Sequence, residues 1–219
     1  MAGRVSDAVI RRLPGYYRHL RELEAAGVTS ISSQELGERM HLTPSQIRQD
    51  INCFGGFGRQ GYGYRVSELK GHIGEILGLD KEHRLIILGA GNIGCAVAQY
   101  PTFSREGFKT IALFDTQETK VGRSLGDIPV LHMDTLEEYV QTNVVDIAVL
   151  ALPKRNAQDA LDRLYKSGIR AIWNFAPADL NHPEDMLVVN VHLSDSLHIL
   201  SYRMNEKELF EAIDAAKQP

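Results

Sequence analysis

Apolar positions along the first quarter of the chain recur at helical steps. Val9, Leu13, Tyr16, Leu20 and Leu23 fall at intervals of four and three, one stripe on a helix predicted over Ser6 to Ala26, and Gly27 stops it. The opposite face carries Arg11, Arg12, Arg18 and Arg21, either a solvated basic face or one that meets phosphate or the rest of the chain. Ser32-Ser-Gln-Glu35 is a capping box, with Leu36 and Met40 one turn apart behind it. Thr43-Pro44-Ser45-Gln46 opens the next helix, with Gln46 placed to close a second box. The turn between these two helices spans only His41 to Thr43, the spacing of a helix-turn-helix. Ile47, Ile51 and Phe54 then face a core, which turns Ser45, Gln46, Arg48, Gln49 and Asn52 outward, toward a major groove where DNA is present.

Gly55 to Arg65 follows with five glycines in eleven positions and Phe57, Arg59, Gln60, Gly61 and Tyr64 among them. Glycines of this density let a backbone approach phosphate closely, so the segment is predicted as the hairpin wing of a winged helix, with Arg59 entering a minor groove. Val66 to Leu79 is a connecting helix, with Leu69, Ile73, Ile76 and Leu77 apolar and the border at Gly78 or Asp80.

From Arg84 the period changes. Apolar strands at Leu85 to Leu88, Thr110 to Asp115, Val145 to Leu152, Ala171 to Phe175 and Leu187 to Val191 alternate with helical stretches such as Arg155 to Ser167. Strands apolar along their whole length belong in a parallel sheet covered on both faces. The predicted fold is therefore α/β: an N-terminal winged helix-turn-helix over 1–79, a Rossmann-type doubly wound parallel sheet over 80–192, and a C-terminal helix over 193–219.

Composition narrows the classes. The 43% hydrophobic and 24% charged content supports packed globular domains and excludes a disordered chain. The longest apolar runs fall far short of a bilayer span, so no membrane partner is expected. Two cysteines, Cys53 and Cys95, rule out a disulfide framework and make a reducing cytoplasm the default. The net charge of −4 argues against a nucleic-acid binder until its distribution is considered. Ten basic and nine acidic residues precede Lys81, and between Arg39 and Arg65 four arginines stand against Asp50 alone.

Gly89-Ala90-Gly91-Asn92-Ile93-Gly94 lies between a strand and a helix, the context that gives the G-x-G-x-x-G fingerprint its meaning. Gly89 makes the tight turn, Gly91 admits a diphosphate against the backbone, and Gly94 lets helix pack on strand. Asp115 closes the second strand, where an acid for ribose hydroxyls is expected, and it favours NADH and NAD+ over a 2′-phosphorylated cofactor. Nearby Lys120 and Arg123 soften that preference. Ala151-Leu152-Pro153 and Asn174-Phe175 end later strands and should line the same crevice, supplying shape without acid or base. Cys95, just after Gly94, is either a thiol activated by the helix start or a packing residue.

In this order, Arg12-Leu-Pro-Gly-Tyr-Tyr, Ser45-Gln-Ile-Arg-Gln-Asp, Phe54-Gly-Gly-Phe-Gly-Arg-Gln-Gly-Tyr-Gly-Tyr, Gly89-Ala-Gly-Asn-Ile-Gly, Tyr100-Pro-Thr-Phe, Lys120-Val-Gly-Arg, Asn174-Phe-Ala-Pro and Asn190-Val-His-Leu-Ser resemble the Rex redox-sensing transcriptional repressors. The resemblance implies a homodimer that holds palindromic double-stranded operator DNA with NAD+ or no ligand and lets go when NADH binds. It also implies a C-terminal helix swapped between subunits, with Tyr100 and the other subunit's copy of Leu193 flanking the nicotinamide and Arg18 approaching it. Three positions depart from the family pattern: Gln49 and Gln60 replace basic residues, and His192 replaces an Asp.

The main competitor is an NAD-dependent oxidoreductase with an appended DNA-binding segment. The residues after Asp80 leave no room for a substrate domain, and no nucleophile–base pair or metal-ligand spacing is present, so neither catalysis nor a metal is expected. A CoA-binding module is the other alternative. The 3′-phosphate of CoA would sit badly beside Asp115.

Overall fold

A computed structural model describes residues 5–55 and 63–216. The chain forms two compact units, Met1–Lys81 and Glu82–Pro219.

In the first unit, α1 (Asp7–Ala25) buries Val9, Leu13, Tyr16, Leu20 and Leu23, the stripe its spacing predicts, and carries Pro14 within it. Gly27, at φ +76°, ends it; Gly27 N–H donates to Glu24 O and Val28 N–H to Leu23 O, so two otherwise orphaned carbonyls are used. After β1 (Ser30–Ile31), α2 (Ser33–Met40) starts with the expected reciprocal box: Glu35 N–H donates to Ser32 Oγ at 3.1 Å and Ser32 N–H to Glu35 Oε2 at 2.8 Å. His41 takes the left-handed conformation at φ 55°. A Cβ at Gly37 would lie 2.5 Å from Leu42 O, so the tight return to α3 (Pro44–Asn52) requires glycine there.

Thr43 Oγ1 caps α3 by accepting from Gln46 N–H, but the reciprocal bond expected from the Gln46 side chain gives way to another. Its amide donates to Asp50 instead, one turn along, because a buried carboxylate is the stronger acceptor. Phe57, Arg59, Gln60 and Gly61 of the expected wing lie outside the described residues. Beyond them β2 (Tyr64–Arg65) pairs antiparallel with β1, and α4 (Val66–Ile76) follows. That helix stops three residues before its expected end, where Gly78 turns left-handed at φ +72°.

In the second unit, a seven-stranded sheet runs β5-β6-β4-β3-β7-β8-β9. Its strands are β3 (His83–Leu88), β4 (Phe108–Asp115), β5 (Ser124–Leu125), β6 (Ile128–His132), β7 (Ile147–Leu150), β8 (Ala171–Asn174) and β9 (Leu187–Asn190). All neighbours are parallel except β5 and β6 at the edge, so the sheet is mixed where a wholly parallel one was expected. The edge hairpin escaped the pattern because β5 is only two residues long and Pro129 interrupts β6; Pro129 pairs with Ser124 of β5, while the pairing of β6 with β4 begins at Val130, so the missing donor is confined to the edge side. Helices α5 (Asn92–Ala98), α6 (Pro101–Arg105), α7 (Leu136–Thr142) and α8 (Lys154–Lys166) connect the strands.

Burial explains the strands' unbroken apolar character. Ile86 and Leu88 enter one core with Ala112, Phe114, Leu150, Leu161 and Leu164, while Leu85 and Ile87 enter the other with Leu113, Val97 and Val149. From β3 the chain winds outward first through β4 and β6, then the other way through β7, β8 and β9. This reversal opens a crevice at the carboxyl ends of the central strands. The last element, α9 (Leu193–Ala216), leaves Leu193, Leu197, Leu200 and Met204 more than half exposed in this single chain.

Candidate functional site

The crevice holds a cavity of about 750 Å³, within the range of small-molecule sites. At its floor the three fingerprint glycines are needed for different reasons. Gly89 sits at φ +105°, and a Cβ there would lie 2.3 Å from Ala151 O. At Gly94 a Cβ would lie 1.9 Å from Gly89 O, so helix α5 can approach the turn only without a side chain. A Cβ at Gly91 would meet nothing, since that position faces open space along the cavity wall. Gly91 caps α5 without a side-chain bond, and the first amides of the helix are left for an anion.

Asp115 ends β4 beside this turn and is 8% exposed. Its Oδ2 accepts from Ala90 N–H and from Lys120 Nζ, each at 3.0 Å, and Oδ1 accepts from Gln117 N–H at 2.9 Å. Burial alone would raise its pKa, but the bonds from Gln117, Lys120 and Ala90 prevail and hold it below the usual carboxylate range. An ionised acceptor with lone-pair capacity left on Oδ1 thus faces the cavity. This is the chemistry that ribose hydroxyls need.

Of the expected cofactor residues, Gly89, Gly91, Asn92, Ile93, Asp115, Lys120, Ala151, Leu152, Pro153 and Phe175 line the cavity. Ala90 and Gly94 do not line it: Ala90 is buried in the core with its N–H on Asp115, and Gly94 packs against Gly89. Asn174 is fully buried and ties neighbouring segments together: its Nδ2 donates to Ala178 O and to the side-chain Asn190 Oδ1, and its Oδ1 accepts from Ala176 N–H. Tyr100 and Leu193 are about half exposed and do not line the cavity of their own chain. Tyr100 leads back to it through a ladder of rings, tilted against Phe103 with centroids 4.7 Å apart, Phe103 then meeting Trp173 edge-on at 5.5 Å and Trp173 meeting Phe175 edge-on at 4.6 Å. Cys95 is half-buried. His192 Nε2 lies 3.5 Å from Asp179 Oδ1.

The far wall was not legible in the sequence. Arg155, Asn156, Asp159 and Arg163 on α8 line it with Met133 and Asp134. Arg163 grips Glu137 through two bonds, of 2.6 and 2.8 Å, and donates to Met133 O at 2.7 Å, which ties α8 to the start of α7. Glu137 and Arg163 are separated by a whole strand, and no local spacing relates them.

On the first unit, Ser45, Arg48, Gln49 and Asn52 are exposed along α3 as expected, with Arg48 donating to Ser33 Oγ. Two placements differ. Tyr64 is 6% exposed, because its ring joins Ile31, Leu36 and Ile47 in the core rather than a DNA-facing surface. Arg12 is not part of a free basic face: its guanidinium makes a bidentate pair with Asp50, which is 1% exposed and also accepts from Tyr16 OH. Burial opposes ionisation of Asp50, but Arg12, Gln46 and Tyr16 together hold its pKa low. Burial and the Asp50 bond push the Tyr16 hydroxyl far up, so it stays a donor. The clue was present in the sequence, since Asp50 lies on the same helical face as Ile47, Ile51 and Phe54, and a carboxylate on a core face demands a cation.

Two family profiles match: "Putative DNA-binding protein N-terminus" over residues 4–52 and "CoA binding domain" over residues 80–178. The redox-sensing transcriptional repressor Rex of Thermoanaerobacter pseudethanolicus is 52% identical over 210 residues, covering 96% of this chain and 94% of that protein. The chain belongs to the Rex family. Rex of Clostridium tetani is likewise 52% identical, over 93% of this chain and 97% of its own. Among solved structures, the Rex-family repressor RSP in complex with β-NAD+ and operator DNA matches with a TM-score of 0.89 at 51% identity, covering 97% of this chain and 98% of that one. RSP in complex with β-NADH matches with a TM-score of 0.89 at 50% identity, covering 96% and 99%.

Among the described residues no group of His, Cys, Asp and Glu is placed to hold a metal, and no helix is long and apolar enough to cross a membrane.

Proposed function

We infer that this protein is a redox-sensing repressor: it occupies palindromic operator DNA and leaves it when NADH enters the Rossmann cavity. The observation that carries this reading is the joining, in one Rex-family chain, of a helix-turn-helix to a glycine turn open at Gly91 and flanked by ionised Asp115. The residues fit a dinucleotide. Gly91 and the uncapped amides of α5 would receive the diphosphate, Asp115 the adenosine ribose, and Leu152, Pro153 and Phe175 the apolar surface beyond.

When bound, the cofactor supplies a ring whose charge and planarity differ between its two redox states. The protein's part is selective binding. If the reduced form prefers the arrangement that cannot grip operator, DNA must weaken NADH binding by the same factor. Tyr100 and the other subunit's copy of Leu193 are the residues assigned to that discrimination. The assignment requires a homodimer with exchanged α9 helices, and the exposed Leu193, Leu197, Leu200 and Met204 support it by presenting an apolar stripe that a second subunit would cover. Such a repressor works in the cytoplasm, where operators and the nucleotide pool meet, and it regulates rather than catalyses.

The match to the CoA-binding profile keeps one second reading in view. Asp115 opposes it, because the 3′-phosphate of CoA would be placed near a carboxylate. Calorimetry of the full chain with NADH, NAD+ and CoA separates the readings. Heat with CoA and none with NADH would replace the redox-sensor account.

A further inference from the structure

Gln46 lies on the outward side of α3 yet is half-buried, because its amide Nε2 donates to Asp50 Oδ1 at 3.0 Å. The same carboxylate accepts from Arg12 Nε at 2.6 Å, Arg12 Nη2 at 2.8 Å and Tyr16 OH at 2.8 Å. An ionised carboxylate has about four acceptor sites and no proton to give, so every site of Asp50 is filled. Turning the Gln46 amide over would set Oε1 against a carboxylate oxygen with nothing between them. Its orientation is therefore fixed by chemistry, with one N–H held inward while Oε1 and the second N–H are left for a partner.

An acceptor beside a donor on one planar edge complements the N6–H and N7 pair of adenine in the major groove, whereas guanine offers two acceptors there. We propose that Asp50 is a positioning residue of the reading helix, holding the Gln46 amide so that Gln46 reads an adenine of the operator. The proposal rests on the operator-binding reading above. Gln49, one turn farther along the helix, is exposed and is not among the groups that bond to Asp50. Gln46 instead enters a groove already ordered, which removes much of the rotamer entropy that binding would otherwise cost.

The test uses full-length protein without nucleotide and a pool of duplexes with a randomised core, the bound fraction being sequenced. Wild type should enrich an inverted repeat. Gln46→Ala should lower the preference for adenine at one pair of each half-site by about 5–100-fold, the range of a bidentate contact. Asp50→Asn should lower it at that same pair by at least about fivefold and leave the other pairs alone. Tyr16→Phe removes a different partner of Asp50 and should leave the profile unchanged. Equal loss at all positions with Asp50→Asn and Tyr16→Phe would overturn the positioning role. So would an adenine preference indifferent to Gln46→Ala. No enriched repeat from wild type would sink the operator reading itself, and this proposal with it. Should Asp50→Asn not fold, NMR of the wild-type side-chain amides decides: one Gln46 proton slow to exchange supports the proposal, and two rapidly exchanging protons refute it.

Discussion

Replacing Asp115 with Asn tests the ribose contact where the geometry makes the sharpest demand. Both carboxylate oxygens accept from N–H donors, Oδ2 from Ala90 and Lys120 and Oδ1 from Gln117. Whichever way the new amide turns, its NH₂ faces a backbone N–H, and one buried donor loses its acceptor at a cost of about 1–3 kcal/mol. The cofactor loses a charge-assisted bond, about 1.5–3 kcal/mol, so the NADH dissociation constant should rise about 10–100-fold. A 2′-phosphorylated cofactor should lose less, because the repelling carboxylate is gone and Lys120 is released toward it. Titration calorimetry of Asp115→Asn with NADH and NADPH should therefore show their affinity ratio moving toward NADPH by at least about tenfold. Unchanged NADH affinity and an unchanged ratio would refute the reasoning and reduce Asp115 to a clasp for the turn.

Gly91→Ala should leave the melting temperature within about a degree or two of wild type, since the added methyl meets nothing, yet weaken NADH binding at least about tenfold by occupying the phosphate's approach. Gly94→Ala should destabilise the second unit by about 2–3 kcal/mol or more, measured by urea unfolding, because its Cβ would meet a backbone carbonyl that cannot swing aside. Asp50 and Asp115 are both held below the ordinary carboxylate value. Their contribution is therefore complete above the unfolded-state pKa near about 4 and is lost as pH falls through the lower folded values; Asp50→Asn should flatten the acid side of a stability-versus-pH curve. Gln49→Lys should steepen the dependence of operator affinity on salt, with log K falling by about 0.9 more per log unit of salt for each additional phosphate the lysine neutralises.

What the sequence disclosed and what it withheld divide along a physical line. Periodicity found α1, α8 and the central strands because each buries a face larger than any local preference, and Gly27 and Gly168 marked helix ends through their left-handed backbones. The placement of the Gly89–Gly94 turn and of Asp115 beside it was legible because both depend on backbone spacing at the ends of neighbouring strands. Contacts between distant segments were not. Arg163 meets Glu137 across a strand, and Arg12 meets Asp50 from another helix, so a face that looked free and basic proved partly committed. Tyr64 was misplaced for a related reason, since alternation around a glycine-rich segment does not reveal which aromatic turns inward. Gln46 shows the same competition within a single turn, its side chain leaving the expected cap for a buried anion.

The most direct test of the central claim is the affinity of the purified full-length protein for its palindromic duplex, titrated separately with NAD+ and NADH at one fixed salt concentration. Saturating NADH should weaken the complex at least about tenfold, a coupling in the usual allosteric range, while NAD+ leaves it intact. Equal affinity in both nucleotides would contradict the account.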